Sequence, residues 1–284
     1  MDSAVINIKD GVNGYVDLVK HVLEHGKETA PRGQKTREIE DAVIRIADPV
    51  NTLPLNVGRG TVPGIGAVEA LQLLGGVSTP QLLLAIAPQF SAYTNEDGKT
   101  FHGAYGARTE GQFEVIVERL KADPDSRQAQ VVIWDPKLDL QPGKKDYPCT
   151  TLMQFRIRDG KLNMSVYMRS NDVWLGAAYD FFQFTRVQIA LASVLKVEVG
   201  VYVHHVGSLH IYEQHYEAAD KLKYAEEYTE VPVITGDSWS EVRSTALLAL
   251  ESVRNEEELF KLSPEGRWYR DAMAKAVAKN AGKQ

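Results

Sequence analysis

Apolar residues recur along this chain at two periods, and the switches between them mark its elements. Over 14–27, Val16, Val19, Val22 and Leu23 fall on one side of a helix. Helical spacing returns over 64–75 and 80–87, and over 111–121, where Phe113, Ile116, Val117 and Leu120 share a face. The stretch D-P-D-S at 123–126 then breaks the pattern. Strands are predicted over 39–46, 129–134 and 198–206. The clearest element is a hairpin. Met153, Phe155 and Ile157 alternate with Gln154, Arg156 and Arg158; Asp159-Gly160 is a favoured two-residue turn; Leu162, Met164, Val166 and Met168 then alternate with Asn163, Ser165 and Tyr167. The same alternation puts Arg169 on the face of Ser165 and Tyr167. Residues 181–195 are apolar nearly all round and predict a buried helix. The remainder reads as mostly helical and closes in a polar tail over about 265–284. With no linker or repeat in view, residues 1–284 predict a single α+β domain, its sheet mostly antiparallel or mixed and packed by helices.

Charge and cysteine content narrow the classes. The net charge is −6, where a duplex-binding protein is more often basic, so no nucleic-acid polymer is expected as partner. Cys149 is the one cysteine; an intrachain disulfide is impossible, a cysteine-based zinc site is ruled out, and no metal is expected. No apolar run approaches the ~20 residues of a membrane span. The opening M-D-S-A-V-I-N-I-K-D has no secretory pattern, so the cytoplasm is the expected location.

Individual residues invite chemistry without deciding it. Cys149, after a proline in D-Y-P-C-T, is a candidate nucleophile, although a lone cysteine is more often a small buried hydrophobe. Its thiolate would need nearby positive charge, which Arg127 and Arg169 could supply if the fold gathers them. Arg169-Ser170 suits an anion, and Arg32, in a loop with Gly33, Lys35 and Thr36, is a second such place. Glu69 interrupts the apolar G-A-V-E-A-L-Q-L-L; it is either exposed at a helix edge or buried to move protons. His210 and Tyr212 would share a face in a strand and could donate to a sugar hydroxyl. The chain has no phosphate-loop, nucleophile-elbow or metal-spaced motif.

Taken in order, these pieces resemble thymidylate synthase and its pyrimidine-hydroxymethylase relatives. The resemblance rests on D-P-D-S-R at 123–127, P-C-T at 148–150, F-x-I-x-D-G-K-L at 155–162, Y-x-R-S-x-D-V-x-L-G at 167–176, E-V-G at 198–200 and G-x-x-H-I-Y at 207–212. Looser agreement reaches back through Tyr105 in H-G-A-Y-G, Glu69 and Arg32. It implies a sheet-to-sheet homodimer in which Cys149 attacks C6 of a pyrimidine nucleotide and 5,10-methylenetetrahydrofolate supplies a one-carbon unit to C5. The phosphate would be held by Arg32, Arg169 and Ser170, with Arg127 contributed by the other chain. His210 and Tyr212 would hold the sugar 3′ hydroxyl, and Glu69 would organise water and protons. Asp172 would bind the pterin with Trp174 and Gly176 close by, and Tyr105 would line the pocket near Cys149.

The departures from that pattern are informative. Where the synthases use an asparagine to read uracil, this chain has Asp180. An ionised aspartate accepts from the cytosine N4 amino group, and a proton shared with N3 satisfies the rest of that edge. The cytosine-specific hydroxymethylases of the family carry aspartate here, so Asp180 points to dCMP, with CMP as the ribose counterpart. The synthases close on a short apolar C-terminus, whereas this chain ends N-A-G-K-Q; a looser lid would admit water and favour hydroxymethylation over reduction. Gln128, Thr150, Met168, Ser208 and A-A-Y at 177–179 also depart from the synthases. The expectation is a cytidylate 5-hydroxymethyltransferase. The alternatives are a thymidylate synthase, a dUMP hydroxymethylase, or a non-catalytic nucleotide-binding relative.

Overall fold

A computed structural model describes residues 5–253, 255 and 261–282. Eight strands form one sheet: β1 (Val5–Ile8), β2 (Lys27–Thr29), β3 (Thr36–Ile46), β4 (Gln130–Val132), β5 (Thr150–Arg158), β6 (Lys161–Met168), β7 (Asn171–Asp172) and β8 (Glu198–Tyr212). The helices are α1 (Asn13–His25), α2 (Pro63–Gly75), α3 (Pro80–Ile86), α4 (Gln112–Ala122), α5 (Pro136–Asp139), α6 (Ala177–Leu195), α7 (Tyr216–Asp220), α8 (Trp239–Ser252) and α9 (Pro264–Ala281). The sheet runs β1-β3-β8-β6-β5-β4, with β2 added to β3 and β7 to β8.

The sheet is mixed. Pairs β3/β8, β2/β3, β4/β5 and β5/β6 are antiparallel, while β1/β3, β6/β8 and β7/β8 are parallel. The hairpin turns at Asp159 and Gly160, both at positive φ (52° and 71°), the conformation that a two-residue turn matched to strand twist demands. Strand β8 runs to Tyr212, six residues past the predicted end at 206, because β3 and β7 continue its ladder: Glu38 pairs with His210 and Asp172 also pairs with His210. Helix α6 starts at Ala177 rather than 181, so Asp180 lies in its first turn.

One face of the sheet carries the core. Met153, Phe155, Leu162, Met164, Val166, Tyr202, His204 and Val206 alternate onto it and are buried under α6, which is buried along nearly all its length. Helix α2 lies beyond, and Gly64 lets it approach α9 so closely that a Cβ there would lie 2.7 Å from that of Ala276. The expected polar tail is therefore helix through Ala281, with Tyr269 and Met273 fully buried; Lys283 and Gln284 lie outside the described residues. Among the described residues no helix layer covers the other sheet face. It is half-buried and polar, and Arg45, Arg127, Arg156 and Arg158 line a hollow of about 370 Å³ on it. Among the described residues no helix is long and apolar enough to cross a membrane.

Candidate functional site

Cys149 stands at the mouth of β5, and the chain around it is fixed from two sides. The Arg169 backbone N–H donates to the Cys149 carbonyl (2.9 Å). The Arg169 guanidinium reaches back to the carbonyls of Pro148 and Tyr147, 3.1 Å each. Gly207 permits this packing, since a Cβ there would meet the Arg169 carbonyl at 2.9 Å. Tyr105 completes the wall: its hydroxyl accepts from the Thr150 N–H (3.3 Å) and its ring stacks on Phe184. Burial pushes the Cys149 thiol up; Arg169 opposes this, while Asp180 and Asp146 add to it. The cationic pair expected at the thiol is thus half present. Arg169 is there, whereas Arg127 sits on the opposite sheet face, beside Arg156 and Arg158.

Asp180 is buried near the start of α6, and both its oxygens accept from amides. Asn171 Nδ2 donates to Oδ2 at 2.6 Å and Gln183 Nε2 to Oδ1 at 3.0 Å. Burial raises its pKa to about 7 despite these donors, with Asp172 adding to the rise. Gly176 makes room for the cluster, because a Cβ there would lie 3.0 Å from both Asp180 Oδ2 and Asn171 Nδ2. Glu69 projects from α2 toward the same cleft. Its side chain keeps some exposure, but protein crowds the carboxyl, and lost hydration raises its pKa to about 8; Asp180 raises it further and Arg59 lowers it. Glu69 is thus half-buried and turned toward Asp180 rather than exposed at the helix edge.

A second group gathers where β7 joins β8. Asp172 Oδ1 accepts from the Trp174 and Leu175 N–H groups (2.8 and 3.0 Å). Its Oδ2 is buried with no hydrogen-bond partner, and burial raises the carboxyl's pKa. His210 and Tyr212 alternate onto one face with rings edge to face. Arg32 occupies the turn Pro31–Gly33 with φ 53°, exposed at the sheet end where Thr36 pairs with Tyr212. Ser170 is half-buried after Arg169. Trp174 stacks near His215, and its carbonyl accepts from Arg59 Nε (2.8 Å).

A family model described as thymidylate synthase matches residues 13–253. This chain belongs to the thymidylate synthase family. Among similar proteins, one described as deoxyuridylate hydroxymethyltransferase from Bacillus phage SP01 is 34% identical over 221 residues, covering 72% of this chain and 57% of that protein. The chain thus spans a little over half the length of that relative. A protein from Methanothermobacter marburgensis, described as "Putative thymidylate synthase", is 29% identical over 227 residues, covering 76% of this chain and 96% of that protein.

Several residues of this family member's cleft escaped the sequence reading. Arg59, in G-R-G, donates to Tyr179 (3.3 Å) and lies over the Tyr179 and Trp174 rings; its two flanking glycines were the available signal. Gln183 follows Asp180 at helical spacing, a pairing legible only once the helix is known to start at 177. Asn171 sits between two predicted site residues, and its partner His204 comes from a strand that the β6/β8 and β7/β8 pairings bring near.

Proposed function

We propose that this protein is a pyrimidine nucleotide C5-hydroxymethyltransferase acting on a cytidine monophosphate, dCMP in preference to CMP. The observation that carries the reading is the buried Asp180 carboxyl, with a pKa of about 7, coupled electrostatically to the thiol of Cys149. An acid that holds a proton near neutrality can donate to cytosine N3 through one oxygen and accept from N4-H through the other. Cys149 Sγ adds to C6 of the base, and the ring electrons move to C5, which becomes nucleophilic. Methylenetetrahydrofolate, when bound, supplies the carbon at the formaldehyde level. The unpaired buried Oδ2 of Asp172 suits the N–H donors of its pterin, with Trp174 and Gly176 alongside.

The rest of the cleft serves binding and proton movement. Arg32, Arg169 and Ser170 hold the phosphate. Arg127 joins them from a second copy, the two chains meeting through the polar sheet face that carries Arg45, Arg156 and Arg158. His210 and Tyr212 hold the sugar 3′ hydroxyl. Tyr105 lines the wall beside the thiol, and Glu69 passes a proton between water and base. The test is incubation with methylenetetrahydrofolate and each of dCMP, CMP and dUMP, followed by product masses. The reading requires a cytosine nucleotide gaining one CH2O unit with release of tetrahydrofolate. A dUMP gaining CH2, with dihydrofolate formed, would refute it.

A second reading is dUMP hydroxymethylation, favoured by the similarity to the phage deoxyuridylate hydroxymethyltransferase. The protonated Asp180 carboxyl could donate to uracil O4 and accept from N3-H. In the same assay this reading requires dUMP to gain CH2O.

A further inference from the structure

If Asp180 faces the base, its proton can sit on either oxygen, and that choice sets which pyrimidine edge is satisfied. A proton on the oxygen toward N3 suits cytosine; a proton on the oxygen toward the C4 substituent suits uracil. Something must hold the proton on one side. Behind Asp180 runs a buried chain of hydrogen bonds. Asn171 Nδ2 meets Asp180 Oδ2 at 2.6 Å, Asn171 Oδ1 meets His204 Nε2 at 3.3 Å, and His204 Nδ1 meets the Tyr202 hydroxyl at 2.7 Å. All four residues are buried, with Tyr202 and His204 at 0% exposure.

The chain has two self-consistent polarities. In one, Tyr202 O–H donates to Nδ1, Nε2–H donates to Asn171 Oδ1, and the Asn171 amide N–H donates to Oδ2, which favours Oδ2 as the unprotonated oxygen; Gln183 donates to Oδ1 at 3.0 Å, but among the described residues its amide has no second hydrogen bond to fix which end it presents. In the other, Oδ2 carries the proton and every donor reverses, with the asparagine amide flipped. His204 has a pKa lowered to about 3 by burial, so it holds one ring proton and cannot donate both ways. The second polarity leaves the Tyr202 hydroxyl hydrogen with no acceptor in the described structure, since Nδ1 of His204 is the one partner this oxygen has there. An unsatisfied buried donor costs enough to decide between the two. The first polarity wins, and it favours the Asp180 proton on Oδ1.

We infer that Tyr202, His204 and Asn171 are positioning residues that keep Asp180 Oδ2 as an acceptor, and that Oδ2 is the oxygen turned toward the C4 substituent of the base, so that the carboxyl reads the cytosine edge and rejects that of uracil. The inference rests on the reading of Asp180 as the base-facing group, and the two can be separated. Tyr202→Phe removes only the hydroxyl that sets the polarity; Asn171→Ala removes the donor to Oδ2. The measured quantity is the ratio of kcat/KM for dCMP over dUMP, or the ratio of Kd values for any variant that binds without turnover. Each variant is expected to lower that ratio by about tenfold or more, and Tyr202→Phe to do so while the folded fraction and the binding of inorganic phosphate stay as in the parent. A structural role alone would lower stability and leave the ratio unmoved. If Asp180→Asn changes base preference while both relay variants keep the parental ratio, the relay is overturned and the role of Asp180 stands. If Asp180→Asn itself leaves the ratio unchanged, both fall.

Discussion

Glu69→Gln tests the electrostatics of the cleft without reference to substrate. In the folded chain the carboxyl pKa stands at about 8 against an ordinary 4.5, so folding favours its neutral form. Below about pH 4.5 the group is protonated in both states and costs nothing. As pH rises from 4.5 toward 8, the unfolded chain releases this proton while the folded chain keeps it, and stability falls. Above about 8 the full penalty is present, about 3–5 kcal/mol at roughly 1.4 kcal/mol per pH unit. Glutamine keeps the shape and cannot ionise. The variant should therefore match the parent in denaturant midpoint near pH 4, apart from a constant offset for its amide, and exceed it by about 3 kcal/mol or more near pH 9. Chemical denaturation at five or six pH values measures the difference. A stability difference that stays constant from pH 4 to pH 9 would refute a buried, proton-holding Glu69.

Three further outcomes are expected, the first two from the proposed function and the last from the geometry. Cys149→Ser should lower turnover by about a thousandfold or more while changing nucleotide affinity less than about tenfold, read by product mass and calorimetry. Mixing Cys149→Ser with Arg127→Ala, each inactive alone, should restore activity through hybrid dimers holding one intact cleft; no recovery after subunit exchange would put Arg127 outside the partner's cleft. Gly176→Ala forces a methyl within 3.0 Å of Asp180 Oδ2 and Asn171 Nδ2 and should cost about 1–3 kcal/mol of stability.

What the sequence disclosed depended on whether the signal was local. The hairpin was legible because alternation and an Asp-Gly turn lie in one window, and α6 because no polar stripe interrupts it. Strand β1 was missed because its four residues pair in parallel with β3, across a helix and a turn. The far half of β8 was missed because its inward alternation changes phase at Gly207–Ser208, opposite Asp41 of β3 with φ 51°. Charged side chains in apolar or motif contexts drew attention to Glu69, Asp172 and Asp180. Arg59, Asn171 and His204 gained meaning only from contacts between elements distant in sequence.

The acids of this cleft and its thiol are bound by one electrostatic condition. Ionised Asp180 raises the pKa of Cys149, and reciprocity requires that a Cys149 thiolate hold the proton on Asp180 more tightly. Below about pH 7 Asp180 is largely neutral, and a neutral acid does not oppose the thiolate. The state in which the sulfur can attack is thus the state in which the carboxyl keeps the proton a cytosine N3 needs. Recognition and activation would then arrive together, with Arg169 as the cation that tips the balance. Asp180→Asn removes the repulsion at every pH, so its thiol should titrate below that of the parent, and the gap should close at acidic pH where Asp180 is already neutral. Alkylation of Cys149 by iodoacetamide across pH 5–10 reads this directly. Coincident profiles for parent and variant would show that the carboxyl and the thiol do not sense each other.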